Sequence, residues 1–262
     1  MNYLDKFSLK GKTTFITGGA GFLGTEVSKA LAQAGARVII LDIDQKKGEE
    51  LAEQIKKEGG EVEFIQFNII ELEDLDLIID GFYKKYGKID IWVNTAYPKT
   101  EDWGNKVEEL KLESFRKNVE MHLNSYSWIS RKVCMIMKEQ NVGSLINFAS
   151  IYGVVGNNFS VYEGTQMNSA MAYSAIKGGI VNLDRYLASY FGEFNVRVNT
   201  VCPGGIFDNQ NEIFVKNYSK NTPLKRLGNP DEVASVVLFL ASDASTYVTG
   251  TTLMVDGGWT AV

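Results

Sequence analysis

The chemistry that this chain could perform is indicated first by Tyr173 and Lys177, which stand four positions apart. On a helix, residues at this spacing share one face, so the lysine ammonium would lie beside the tyrosine phenol. A free tyrosine has a pKa of about 10, and lowering it by about 3 units requires roughly 4 kcal/mol. One ammonium at about 4 Å supplies a similar energy at an effective dielectric constant of about 20. The pair predicts a catalytic acid–base group for hydroxyl or carbonyl chemistry, although the spacing alone also occurs on solvated helix faces.

Length and composition limit the classes of function. The chain has 262 residues, 45% of them hydrophobic and 23% charged, so we expect one globular α/β domain over residues 1–262. The formal net charge is −5 and no basic block occurs, which argues against nucleic-acid binding. Cys134 and Cys202 are isolated, so neither a disulfide framework nor a metal site is predicted. No apolar run has the length of a signal peptide core or membrane span, and we expect a cytoplasmic protein with a small soluble ligand.

Short apolar segments alternate with longer amphipathic segments along the chain. This pattern predicts a three-layer, Rossmann-like, doubly wound parallel sheet of about seven strands. The predicted strands are residues 12–17, 37–42, 61–67, 89–94, 143–149, 195–200 and 252–255. The predicted helices are residues 23–34, 45–58, 73–86, 112–139, 172–191 and 230–241. Residues 152–171 and 207–227 interrupt the alternation at the sheet edge where ligands bind, so we predict that they are substrate loops.

A glycine-rich loop follows the first predicted strand and precedes a helix. Gly18 would permit the tight turn, Gly21 the approach of a pyrophosphate, and Gly24 the close packing of helix on strand. Asp42 ends the next predicted strand, where a carboxylate accepts hydrogen bonds from the adenosine ribose and repels a 2′-phosphate. The loop therefore predicts dinucleotide binding with NAD preferred over NADP. The alternative for Asp42 is that it only caps a loop.

With these motifs in place, the chain resembles the short-chain dehydrogenase/reductase family over essentially its whole length. Further matches are Asn94-Thr95-Ala96, Asn147-Phe148-Ala149-Ser150, Pro203-Gly204 and Asp256-Gly257-Gly258. The resemblance implies hydride transfer to or from nicotinamide, with Tyr173 as the proton acceptor or donor. It implies that Ser150 bonds the reacting oxygen, unless Ser150 is only a turn residue, and that Lys177 lowers the Tyr173 pKa and holds the ribose. A homotetramer or homodimer is also implied.

The same resemblance assigns the cofactor contacts. They are Gly18, Gly21, Phe22, Leu23, Gly24, Asp42, Asn68, Ile69, Asn94, Ala96, Tyr173, Lys177, Pro203, Gly204 and Ile206. Among them, Asn68 replaces an aspartate that contacts adenine in the family, and an amide can both donate and accept there.

His122, the only histidine, stands where the family has its catalytic asparagine. It would keep the proton relay to Lys177 or add a group that titrates at about pH 6.5. Two alternatives remain at this point: Asn124 serves the relay after a local shift, or His122 is an ordinary core histidine. Tyr97, which replaces a glycine of the family pattern, would place a phenol near the nicotinamide.

Ser150 and Tyr173 are 23 positions apart, more than this branch of the family usually shows. Residues 152–171 therefore look like an insertion over the active site, rich in hydrogen-bonding groups and suited to a polyhydroxylated ligand. We predict Ser150, Tyr97, Tyr162 and Gln166 as substrate contacts.

Part of the insertion also resembles proteins of bacterial nonulosonate-type sugar pathways. The predicted reaction is therefore oxidation or reduction of a sugar or sugar phosphate in bacterial glycan biosynthesis. Two other functions stay open, a ketone or 3-oxoacyl thioester reductase and a non-catalytic NAD-binding scaffold. The substrate itself, the direction of the reaction and the reacting carbon are left open.

Overall fold

The computed structural model describes residues 2–262. Seven strands in this part of the chain form one sheet. The strands are β1 (Thr13–Thr17), β2 (Arg37–Asp42), β3 (Glu61–Gln66), β4 (Ile91–Asn94), β5 (Gly143–Phe148), β6 (Val196–Pro203) and β7 (Thr252–Val255). Every neighbouring pair is parallel, and the order across the sheet is β3-β2-β1-β4-β5-β6-β7. The order reverses between β1 and β4, and in such sheets a ligand crevice opens at the carboxyl ends of the strands at this point.

Eight α-helices accompany the sheet in the described part of the chain. They are α1 (Phe22–Gln33), α2 (Gln45–Lys57), α3 (Leu75–Tyr86), α4 (Leu112–Asn118), α5 (Ser125–Gln140), α6 (Met171–Phe191), α7 (Glu212–Asn221) and α8 (Pro230–Ala241). None of the helices within residues 2–262 combines the length and the apolar character that crossing a membrane requires.

Two hydrophobic cores, one on each face of the sheet, give the fold its three layers. One core joins the strands to α3, α5 and α6, and the other joins them to α1, α2 and α8. Strands covered on both faces read as nearly continuous apolar runs, as in β2, where Val38, Ile39, Ile40 and Leu41 are all buried. The predicted three-layer, doubly wound sheet of seven parallel strands is confirmed.

Two segments differ from the sequence-based expectation. The helix expected over residues 112–139 is interrupted by a π-helical turn (Val119–Asn124) between α4 and α5, a feature that often marks functional sites. The loop expected over residues 207–227 contains α7, which Asn211 caps by accepting a hydrogen bond from the Ile213 N–H at 2.8 Å. Polar residues dilute the apolar pattern of α7, whose buried side chains are only Phe214 and Tyr218, so hydrophobic periodicity did not reveal it.

Candidate active site

The glycine loop between β1 and α1 is packed so closely that side chains are excluded from it. Gly18 has a φ of +66°, and a Cβ there would lie 2.5 Å from the Ala96 Cα. A Cβ at Gly24 would overlap the Gly18 carbonyl oxygen. Gly21 is the N-cap of α1, so no side chain caps the N-terminus of this helix. The backbone therefore forms a smooth cradle that ends at the unpaired N–H groups of the helix, which is the geometry that receives a pyrophosphate.

A cleft of about 860 Å³ opens beside this cradle. Most of the residues predicted to contact cofactor or substrate line it, namely Gly18, Gly21, Phe22, Leu23, Gly24, Asp42, Asn68, Ile69, Ala96, Tyr97, Tyr173, Lys177, Pro203, Gly204 and Ile206. The lining also contains Thr95, Lys99 and Met121, to which the sequence assigned no role, and Asp208 and Gln210 from the predicted substrate loop 207–227. The cleft volume, the glycine cradle and the acid at the end of β2 fit an extended dinucleotide.

Asp42 fastens the glycine loop to the end of β2. Its Oδ2 accepts a hydrogen bond from the Ala20 N–H at 3.0 Å, and its Oδ1 accepts one from the Asp44 N–H at 3.1 Å. The carboxylate also lines the cleft. Because each carboxylate oxygen can accept more than one hydrogen bond, holding the loop leaves capacity for a ribose hydroxyl.

Asn94 does not line the cleft, so its prediction as a cofactor contact is wrong for the side chain. The side chain is buried, and its Oδ1 accepts from Thr17 Oγ1 at 2.9 Å and from Trp92 Nε1 at 2.8 Å. Its Nδ2 donates to Asn147 Oδ1 at 2.8 Å. These bonds satisfy a buried amide, so Asn94 ties the centre of the sheet together instead of facing a ligand.

Tyr173 and Lys177 lie one turn apart on α6, as their spacing predicts. Lys177 is buried, its Nζ donates to the Phe148 carbonyl oxygen at 2.8 Å, and it lies 5.7 Å from the centroid of the Tyr173 ring. Burial raises the pKa of Tyr173 to about 12, and a hydrogen bond with Ser150 only partly offsets this. Burial also lowers the pKa of Lys177 to about 7.

In the protein alone, burial outweighs the lowering of the Tyr173 pKa that the spacing predicts from Lys177, and the role of Lys177 stays a prediction. The spacing alone predicts a fully charged lysine in a polar medium. Burial, however, disfavours the charged form of both Lys177 and Tyr173. A lysine with a pKa of about 7 carries only part of its charge at neutral pH. The phenol must gain further stabilisation of its anion when the substrate and cofactor bind.

Ser150 follows β5 and does not line the cleft surface, although its side chain is close enough to influence the pKa of Tyr173. Its Oγ accepts a hydrogen bond from the Tyr152 N–H at 3.2 Å and thereby caps a short 3₁₀ turn (Ile151–Gly153). The alternative of a turn residue is thus partly correct. The hydroxyl hydrogen remains a donor for an oxygen at Tyr173.

His122 lies in the π-helical turn, fully buried, with its Nε2 3.3 Å from Lys177 Nζ. Its ring packs between Tyr97, at 5.5 Å, and Tyr126, at 4.9 Å between centroids. Burial, together with the nearby Lys177 charge, holds the pKa of His122 well below its usual value. The expectation that His122 titrates at about pH 6.5 therefore disagrees with its lowered pKa. Asn124 is exposed and bonds Glu120 instead, so the alternative relay through Asn124 has no support.

The insertion packs against α7 and not into the cleft. Tyr162 stacks on Phe214 with ring centroids 5.6 Å apart, and Asn217 Nδ2 donates to the Glu163 carbonyl oxygen at 3.0 Å. Neither Tyr162 nor the exposed Gln166 lines the cleft, although Tyr162 is close enough to Tyr173 to raise its pKa, so both stay predictions as substrate contacts. Spacing along the chain located the insertion but not the direction of its side chains.

Two aromatic rings lie beside Tyr173. Tyr97 meets Tyr173 edge-on at 5.9 Å between centroids, and Trp103 meets the same ring at 6.1 Å. Tyr97 and Trp103 also contact each other at 5.8 Å. Tyr97 therefore lines the cleft beside Tyr173, and its role as a substrate contact stays a prediction, whereas Trp103 lies in a segment that carries no motif.

Comparisons with known proteins agree with this arrangement. A family model described as "Enoyl-(Acyl carrier protein) reductase" matches residues 19–260. "Post-translational flagellin modification protein A" of Campylobacter coli is 36% identical over 253 residues, which cover 96% of this chain and 99% of that protein.

Solved structures share the whole fold. A short chain dehydrogenase from Leptospira borgpetersenii with bound NAD⁺ has a TM-score of 0.86 at 34% identity, covering 99% of this chain and 96% of that one. A gluconate 5-dehydrogenase from Burkholderia cenocepacia, in complex with NADP and tartrate, has a TM-score of 0.89 at 26% identity over the full length of both chains. The chain therefore belongs to the short-chain dehydrogenase/reductase family, whose fold binds a nicotinamide cofactor.

Proposed function

We propose that this protein is an NAD-dependent oxidoreductase that interconverts a hydroxyl and a carbonyl group on a sugar or sugar phosphate. The observation that carries the proposal is the meeting of Tyr173 and Lys177 with the glycine cradle in one cleft. Similarity to a flagellin modification protein supports a role in bacterial glycan biosynthesis, including flagellin modification. Similarity to a gluconate 5-dehydrogenase supports a polyhydroxylated substrate.

In this mechanism the nicotinamide cofactor supplies or accepts the hydride. The substrate oxygen is held by Ser150 and Tyr173, and the phenol accepts the hydroxyl proton in oxidation or donates it in reduction. Lys177 binds the ribose hydroxyls while its Nζ stays anchored to the Phe148 carbonyl oxygen. Tyr97 and Trp103 exclude water beside the phenol, which strengthens the electrostatic interactions there.

The substrate class is tested by following NADH formation or consumption with sugars, sugar acids, sugar phosphates and acetoacetyl thioesters. The proposal expects turnover with at least one sugar derivative and none with the thioesters. Turnover of thioesters alone would identify a 3-oxoacyl thioester reductase. A protein that binds NAD but exchanges hydride with no alcohol or ketone would be a scaffold.

NAD is the proposed cofactor because Asp42 presents a carboxylate to the adenosine end of the cleft. We expect NADH to bind at least about tenfold more tightly than NADPH, since an unpaired like charge costs more than about 1.4 kcal/mol. Asp42→Asn should reduce the preference for NADH over NADPH about tenfold. Both affinities are measured from the fluorescence of the reduced nucleotide. The control is Asp44→Asn, which alters a neighbouring acid that caps α2. Equal binding of both nucleotides by the unaltered protein would contradict the assignment.

His122 is proposed as a positioning residue that fixes the Lys177 ammonium through Nε2. His122→Leu removes this acceptor, so the pKa of Lys177 should fall and the limb of the kcat profile that Lys177 controls should move to lower pH. We expect a shift of at least about half a pH unit, reversed in His122→Asn, which restores an acceptor. An unchanged pH profile in His122→Leu would show that His122 only fills space.

A homotetramer or homodimer is part of the proposal. Support comes from large exposed side chains on neighbouring helices, Trp128 on α5 and Tyr186 and Tyr190 on α6, because contiguous apolar patches mark association surfaces. Light scattering after size-exclusion chromatography measures the mass, and a monomer at micromolar concentration would contradict this part.

A further inference from the structure

Lys99 is a cation in the cleft wall, and it has no ionic partner among the residues that the structure describes. It lines the same cleft as Tyr173 and Lys177. None of the ion pairs formed within residues 2–262 includes it. Lys177, the other lysine of the lining, is buried and bonded to Phe148 and His122. Lys99 is thus the lining cation that is available to a bound molecule.

The segment that carries Lys99 is held in place by partly buried hydrogen bonds on both sides. After it, the Thr100 N–H donates to Asn118 Oδ1 at 3.0 Å, and Asn118 Nδ2 donates to Thr100 Oγ1 at 2.8 Å. Asn118 is buried at the end of α4. Before it, Tyr126 OH donates to the Ala96 carbonyl oxygen at 2.9 Å. The backbone of Lys99 is therefore fixed at the cleft wall.

The Tyr97 ring connects Lys99 with the catalytic tyrosine. Lys99 Nζ lies 5.6 Å from the centroid of the Tyr97 ring. The same ring meets Tyr173 edge-on, with 5.9 Å between the two centroids. The ring face attracts the ammonium, so Lys99 Nζ is held on the same ring that borders Tyr173. A substrate whose reacting oxygen lies at Tyr173 would thus contact Lys99 with a group that is several bonds away from that oxygen.

We propose that Lys99 binds an anionic group of the substrate, a carboxylate or a phosphate, on a polyhydroxylated chain. This inference rests on the proposed function and specifies its substrate class as sugar acids or sugar phosphates, as opposed to neutral sugars. An ammonium that donates to an anionic oxygen forms one of the stronger hydrogen bonds available to a protein. The Tyr97 ring beside it offers an apolar face to the carbon skeleton.

Calorimetric titration of the NAD⁺-saturated protein tests the proposal without requiring turnover. The probes are D-gluconate against D-sorbitol, and D-glucose 6-phosphate against D-glucose, so that each pair differs mainly by the anionic group. We expect one or both anions to bind about tenfold more tightly than the neutral counterpart. Lys99→Gln should abolish the difference and Lys99→Arg should retain it. Lys84→Gln, on the exposed face of α3, is the control that removes a charge elsewhere.

The pair that shows the difference identifies the anionic group as carboxylate or phosphate. The proposal is overturned if neither anion binds more tightly than its neutral counterpart, or if the advantage survives in Lys99→Gln. An anion preference that depends on Lys99 in a protein without hydride exchange would contradict the proposed function alone. Hydride exchange with neutral sugars and no anion preference would contradict only the role of Lys99.

Discussion

Tyr173→Phe should lower hydride exchange by about 10²–10⁴-fold, the contribution usual for a positioned acid–base group, while NADH affinity stays within about twofold. The phenyl ring keeps the edge contacts with Tyr97 and Trp103, so the cleft wall is preserved. Only the hydroxyl that exchanges the proton is lost. Stopped-flow measurement of NADH formation gives the rate, and nucleotide fluorescence gives the affinity.

Tyr186→Phe is the matched control, because Tyr186 lies on the same helix and is exposed. It removes a hydroxyl from α6 and should leave both the rate and the affinity unchanged. Full activity of Tyr173→Phe would mean that another group exchanges the proton. A joint loss of rate and NADH affinity would mean that Tyr173 serves mainly to hold the cofactor.

Gly24→Ala should weaken NADH binding by about tenfold to hundredfold, since overpacking costs about 1–3 kcal/mol. The new methyl group would overlap the Gly18 carbonyl oxygen, and Gly18 and Gly19 border it with backbone atoms that cannot rotate away. The loop must therefore move out of its cradle geometry. Nucleotide fluorescence measures the affinity, and thermal unfolding reports any accompanying loss of stability.

The control is Gly81→Ala on the exposed face of α3, where a Cβ would meet nothing within 4 Å. Alanine replaces glycine in a helix interior there, so stability should rise by roughly 0.5–1 kcal/mol and NADH affinity should not change. Unchanged NADH affinity in Gly24→Ala would contradict the assignment of the glycine loop as the cofactor cradle.

The sheet could be predicted from sequence because each buried strand is a short apolar run that follows an amphipathic helix. The order of these runs and the glycine loop after β1 leave few topologies open. The boundaries of the helices were harder to predict from the sequence than the strands. The π-helical turn (Val119–Asn124) continues the helical periodicity on both sides, so its sequence reads as one long helix.

The direction in which a side chain points was harder to predict than the place of its residue in a motif or loop. Asn94 occurs in a recognised motif, yet its side chain bonds Thr17, Trp92 and Asn147. Tyr162 lies in a segment of suitable composition, yet it packs on Phe214. Composition indicates which groups a loop contains, whereas only tertiary contacts decide which way each side chain points.

Electrostatics at the catalytic pair could not be derived from spacing. Spacing gives the separation of Tyr173 and Lys177, but the sign of a pKa change depends on the balance of charge attraction against desolvation. Burial dominates at both residues, raising the pKa of the phenol and lowering that of the ammonium. His122 lies beside the ammonium; its position was predicted, whereas the lowering of its pKa by burial was not.

The central claim, that Tyr173 exchanges a proton while a hydride crosses this cleft, is tested most directly by isotope transfer. The protein is incubated with NADH deuterated at C4 of the nicotinamide and a panel of keto sugars and keto sugar acids, and the products are analysed by mass spectrometry. The account predicts deuterium at the new carbinol carbon of at least one product with the unaltered protein, and little or none with Tyr173→Phe. No deuterium in any product, or equal incorporation by Tyr173→Phe, would contradict it.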